Sequence, residues 1–263
     1  MEINYCKNPI SEDLKITDDS LKLLFLEKAI NESVNLINCG LDYFSKINFT
    51  NNDLVYSLSF LHLSRGFELL MKCMICYKKY DNTKDRNVLK KHFPAKENMM
   101  HYGHNLNRLR KEVMKNYQGL FREKTSNTKW ISQLKEDCDF ISKDKKLIKI
   151  LKIISIYGNK GRYYELDSVT SDNKKKNISP KSEMEKLIIE LLKKDEQLRK
   201  TFINNKDDLL ISNKVWQEIL GKYFVPYLIQ FCGALRHQFL YGVLGVKAKR
   251  CRSVCSQKFN LLG

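Results

Sequence analysis

A chain of 263 residues can bury a sizeable core, either as one large domain or as two small ones. With only 4 Pro and 11 Gly, it argues against a sandwich of short strands joined by Gly/Pro turns and for long helices, an all-α class. Against 30 Asp and Glu stand 47 Lys and Arg, a formal charge of +17, which draws polyanions: nucleic acid first, then acidic proteins or anionic membrane surfaces.

No apolar run reaches the roughly 18 residues of a membrane span, and Met1-Glu2-Ile3-Asn4-Tyr5 lacks the basic-then-apolar layout of a secretory signal. A cytoplasmic protein with no membrane partner is expected. Eight cysteines without compact spacing fit a reducing compartment and packed thiols better than a disulfide scaffold. Cys73-x-x-Cys76 and Cys251-x-x-x-Cys255 have the form of zinc half-sites, but Cys73 and Cys76 fall in an apolar helical stretch where small residues pack, so no metal is expected.

In chain order, the first helix is predicted over about Asp19 to Lys46, with Leu23, Leu26, Ile30, Val34, Ile37, Leu41 and Phe44 on one stripe. A second runs from Asn52 or Asp53 to about Tyr80. Phe60, Leu63, Phe67, Leu70 and Met74 form its stripe, and Arg65, Glu68 and Lys72 share a neighbouring face. After a polar break from Asp81 to Gly103, a helix resumes at His104 or Asn105. Further helices are predicted at Trp130 to Ile141 and Lys145 to Ile156. Gly158 to Pro180 reads as an exposed, mobile basic loop whose Arg162, Tyr163 and Tyr164 are suited to holding phosphates and stacking on bases. One helix is predicted from Ser182 to about Lys200 and another from Asn213 to Val246, kinked or restarted at Pro226, with Leu228, Phe231, Leu235, Phe239 and Gly242 buried. The rest is a basic tail with Lys247, Lys249, Arg250 and Arg252. There is no internal repeat, and the whole chain, residues 1–263, is read as a single helical domain: a core over about 20–245, a helical insertion over about 118–212, and the tail over 247–263.

No Gly-rich phosphate loop, His-Glu-x-x-His helix, Ser-centred elbow or kinase signature is present. The most suggestive segment is Leu235-Arg236-His237-Gln238-Phe239-Leu240-Tyr241-Gly242. A guanidinium can stabilise a phosphorane-like transition state, and an imidazole can move a proton from a ribose 2′-OH at neutral pH. The same two residues also suit the exposed side of an ordinary amphipathic helix.

An amphipathic first helix, then Arg65-Gly-Phe-Glu68-Leu-Leu-Met-Lys72, then Gly103-His104-Asn105-Leu106, then Arg236-His237-x-x-x-Tyr241-Gly242, resembles in that order the HEPN superfamily, helical domains of prokaryotic toxin and antiphage systems. The resemblance implies an up-and-down helical bundle with additional helices and a basic loop. It also implies a metal-independent endoribonuclease without cofactors, often a homodimer with a composite groove, and an antitoxin or other regulatory partner. The family's ribonuclease signature is Arg, a polar residue, and a His four to six places after the Arg. Arg236 and His237 match its first two places, and Tyr241 stands where the His is expected. Because a phenol of pKa near 10 is a poor base at pH 7, either His237 or Tyr241 is left to handle the proton. The predicted catalytic set is Arg236, His237 and Tyr241. RNA contacts are expected from Arg65, Lys72, His104, Asn105, Arg162, Tyr163, Lys247, Lys249 and Arg250. Two other readings stand beside this one: a noncatalytic HEPN-like module that binds RNA or protein, and a helical adaptor unrelated to nucleic acid.

Overall fold

A computed structural model describes residues 18–47, 53–82, 103–117, 120, 128–159 and 179–251. Among them every regular element is a helix, so the protein is all-α. The elements are α1 (Asp18–Ser45), α2 (Asp53–Asn82), α3 (Leu106–Met114, continued by a 3-10 turn, Lys115–Tyr117), α4 (Thr128–Lys143), α5 (Lys145–Asn159), α6 (Pro180–Lys194), α7 (Glu196–Asn204), α8 (Leu209–Tyr223), α9 (Val225–Leu240) and the short α10 (Val246–Lys249).

The long pair α1 and α2 forms the spine. Leu26, Ile30, Val34, Ile37, Leu41 and Phe44 on α1 meet Phe60, Leu63, Phe67, Leu70 and Met74 on α2, all fully buried, as their three- and four-residue spacing requires. Glycines let the two backbones approach closely. A Cβ at Gly40 would stand 2.8 Å from the Leu63 backbone nitrogen, and one at Gly66 would stand 2.9 Å from both the Ile37 nitrogen and the Ser33 carbonyl. On the other side of α2 lie α3 and α5, with α9 against α2 through Phe67–Phe231 and Tyr77–Phe239 ring contacts. One contiguous apolar cluster runs from Leu26 to Cys251, and α4, α5 and α6 contribute to it with Leu134, Ile141, Leu147, Ile154 and Ile188.

Buried polar groups tie the helices at fixed registers. Asn105 caps α3, its side chain accepting from the Arg108 N–H at 3.1 Å, and the Leu106 N–H donates to Ser155 Oγ on α5 at 2.9 Å. From the same helix the buried Arg110 guanidinium donates to the Ile141 and Ser142 carbonyls at the end of α4. Those carbonyls are orphans of a helix C-terminus, so one side chain satisfies α4 and locks it to α3.

Four expectations change. The helix predicted from Ser182 to Lys200 is two helices broken at Asp195, which ends α6 and caps α7 through its side chain and the Leu198 N–H. α8 starts at Leu209, four residues before the predicted Asn213, because Asp208 caps it. α5 runs through Gly158 to Asn159, into the predicted loop, because Gly158 packs on Ser64 of α2 where a Cβ would lie 2.1 Å from Ser64 Oγ. The last long helix restarts at Val225, with Pro226 in its first turn, and ends at Leu240 instead of Val246: Gly242 and Gly245 turn the chain with φ of 73° and 97°. Gly242 therefore lies beyond α9 and off its buried stripe. The basic tail is docked as far as Cys251, with Ala248 and Cys251 buried and Lys78 donating to the Val243 carbonyl at 2.8 Å.

Asp195 also joins α8: it accepts from Lys222 at 2.7 Å and from the Tyr223 hydroxyl at 3.1 Å. The Lys222 ammonium, then the Leu198 N–H, hold its carboxyl below the usual range. A carboxyl lowered on folding adds stability above its unfolded pKa, about 3.9, and that stability is lost as pH falls through the lower folded value. Asp195→Asn keeps the cap and removes the charge. In urea unfolding it is expected to be less stable than wild type at pH 7, with the gap closing below about pH 4; an equal gap at every pH would refute the electrostatic account.

Candidate functional site

The three residues of the Arg236-His237-x-x-x-Tyr241 segment sit at the C-terminal end of α9, where α4 crosses it. Gln133 and Asp137 on α4 are one turn apart, and Asp137 is buried. A buried carboxylate needs partners on both oxygens. Asp137 has them: Gln133 Nε2 donates to Oδ1 at 3.2 Å, and His237 Nδ1 lies 2.8 Å from Oδ2. An ionised carboxylate only accepts, so the proton of the neutral ring sits on Nδ1 and the lone pair on Nε2.

Aromatic rings complete the wall. Tyr241 stacks on His237 with centroids 5.2 Å apart and planes 19° from parallel, and Trp130, in the first turn of α4, meets Tyr241 edge-to-face at 4.3 Å. Trp130, Gln133 and Asp137 share one face of α4, set against His237 and Tyr241. Partial burial, then the Asp137 carboxylate, push the Tyr241 hydroxyl above its ordinary range, with Arg236 opposing. The phenol thereby stays protonated at neutral pH, with even less phenolate to act as a base. Arg236, one position before His237 on α9, is half-buried.

A second cluster lies elsewhere. Glu68, buried on α2, holds Lys72 through one carboxylate oxygen and His104 Nδ1 through the other, at 2.6 Å for the histidine. His104 and Asn105 open α3, whereas the far end of α3 meets α9 through a buried Asn116 Nδ2 to Gln238 Oε1 bond of 3.0 Å. At about 1.5 Å per residue the two ends stand roughly 17 Å apart. The structure thus brings Arg236, His237 and Tyr241 together and sets Lys72, His104 and Asn105 apart from them, on a task of helix capping and ion pairing. Arg65 is exposed one turn before Glu68, and Lys247, Lys249 and Arg250 are exposed after the α9 turn. Arg162 and Tyr163 lie outside the described residues.

Burial pushes the Cys73 and Cys76 thiols up, that of Cys76 to about 12, as expected of packed core residues. Among the described residues no three His, Cys, Asp or Glu side chains are arranged to hold a metal ion; Cys255, the fourth member of the zinc reading, lies outside them. No helix among the described residues is long and apolar enough to cross a membrane.

Three residues of this site, Trp130, Gln133 and Asp137, escape the motif reading. One signal for Asp137 is in the sequence: Leu134, Asp137 and Ile141 follow the three- and four-residue steps of a buried stripe, and a carboxylate on such a stripe demands a partner. The chain is therefore an all-α protein carrying a carboxylate–imidazole pair beside an arginine. No protein-family model, curated protein or solved structure matches it.

Proposed function

We propose that this protein is a HEPN-like, metal-independent endoribonuclease of a toxin or antiphage-defence system, acting through attack of a ribose 2′-OH. The observation that carries the reading is the Asp137–His237 pair, 2.8 Å apart, next to Arg236 on a chain of charge +17. Asp137 fixes the ring so that Nε2 can take the 2′-OH proton. As the 2′-oxygen bonds to phosphorus, charge gathers on the phosphoryl oxygens, and Arg236 is the group to hold it. The bond from phosphorus to the 5′-oxygen then breaks, leaving a 2′,3′-cyclic phosphate and a 5′-hydroxyl once the leaving oxygen is protonated. In a homodimer the imidazolium of a second copy's His237, across a composite groove, supplies that proton. Tyr241 braces His237 by stacking, so His237 is the proton carrier of the two candidates. Arg65, Lys247, Lys249 and Arg250, all exposed, are the contacts proposed for the RNA backbone.

The test is cleavage of labelled single-stranded and transfer RNA in EDTA by the wild type and by Arg236→Ala. Products with cyclic ends, formed by the wild type and reduced at least about 100-fold in the variant, are expected. A wild type that binds RNA without cutting it would make the site a binding module; one that does neither would remove RNA from the account.

A further inference from the structure

Trp130 is left without a role by the proton-transfer chemistry, and its setting is unusual for a core residue. It is 47% exposed, the one large hydrophobic side chain exposed on α4 among the described residues. One edge of contact is fixed by Tyr241, and Tyr241 in turn lies on His237. Ring-centroid steps of 4.3 Å and 5.2 Å put Trp130 within a nucleotide or two of the imidazole. Arg236 lies near Tyr241, and Lys129, next to Trp130 in the chain, is exposed. An indole held against Tyr241 yet 47% exposed, at the edge of a basic site, has what an unstacked base with its phosphates requires.

We propose that Trp130 is the stacking platform for a base next to the scissile phosphate, which makes single-stranded RNA the substrate class of the site. This rests on the ribonuclease reading for the identity of the scissile bond, but base stacking by itself does not require cleavage. Duplex RNA keeps its bases inside the helix and cannot reach the ring. Trp130 touches a base away from the reacting atoms, so it is a binding and specificity residue.

The two tryptophans make the test direct. Trp216 is buried and donates to the Tyr56 hydroxyl at 3.3 Å, so a ligand-induced change in emission reports Trp130. The probe is a 2′-O-methyl oligonucleotide, which lacks the attacking hydroxyl, titrated into the full chain as a single strand and as a duplex. Quenching by the single strand alone is expected. In a separate labelled-strand assay Trp130→Ala is expected to bind about tenfold or more weakly, and Trp130→Phe, which keeps a ring, to retain most of the affinity. Unchanged emission on strand binding, equal binding by Trp130→Ala, or no binding by the wild type would each overturn the platform. The two ideas fail separately. Quenching without any cleavage of ordinary RNA upholds the platform and rejects the nuclease; cleavage with KM untouched in Trp130→Ala does the reverse.

Discussion

Asp137→Asn should lower the RNA-cleavage rate by about 10²- to 10⁴-fold while KM stays within about twofold of the wild type. The amide has nearly the shape of the carboxylate and sits in the same buried place, so Gln133, His237 and the α4–α9 contact can stay where they are. What changes is the hydrogen-bond code. A carboxylate only accepts and so dictates Nδ1–H on His237; an amide can also donate to Nδ1, which shifts the ring proton to Nε2 and removes the lone pair that must take the 2′-OH proton. His237→Ala sets the floor of the effect, about 10² to 10⁴ below wild type. Because the two residues act as one unit, the double variant should be no slower than His237→Ala alone. Thermal melting and RNA binding serve as controls. A full-rate Asp137→Asn enzyme, or one whose loss is all in KM, would reject Asp137 as the positioning residue.

The features on which that argument relies were not equally readable in the linear chain. The stripes of α1 and α2 were legible because their apolar residues repeat at helical spacing without interruption, and Pro226 announced the restart of α9 by its missing N–H. The Asp195 break was hidden in Lys193-Lys194-Asp195-Glu196, a run that also suits a solvated helix; only the Asp side chain, competing for the Leu198 N–H, tells the two apart. The end of α9 was overrun because Tyr241 to Val246 stays apolar, and the positive φ of Gly242 and Gly245 outweighs that pattern. For the site, Arg236, His237 and Tyr241 stand close in sequence and could be grouped by eye. The partner of His237 is 100 positions away, and its pairing depends on how α4 crosses α9, which no local period encodes. The same limit explains His104. Read from the Gly103-His104-Asn105-Leu106 stretch it was expected among the RNA contacts beside the Arg236 segment, and only its bond to buried Glu68 sets it at the other end of α3.

The other large effect concerns the scaffold. Gly66→Ala is expected to destabilise the protein by about 3 kcal/mol, at the upper end of overpacking costs, and so to lower Tm by roughly 6–12 °C for a chain of this size. On propensity alone the substitution should help, since Ala is better than Gly in a helix by up to about 1 kcal/mol. Geometry decides the sign. The new methyl would stand 2.7 Å from Ile37 Cγ1 and 2.9 Å from the Ile37 nitrogen and the Ser33 carbonyl, and backbone atoms of α1 cannot swing aside as a side chain can. Ser33 is itself fully buried, its hydroxyl bonded to the Ile30 carbonyl at 2.6 Å, so the only relief is to part α1 from α2 and loosen the stripes packed between them. Gly221 supplies the opposite case on α8: it is exposed, and a Cβ there meets nothing within 4 Å. Gly221→Ala should therefore raise stability by up to about 1 kcal/mol. Measured side by side by thermal melting, the two substitutions should move Tm in opposite directions. A stabilising Gly66→Ala would mean that α1 and α2 do not cross as closely as their backbones do here.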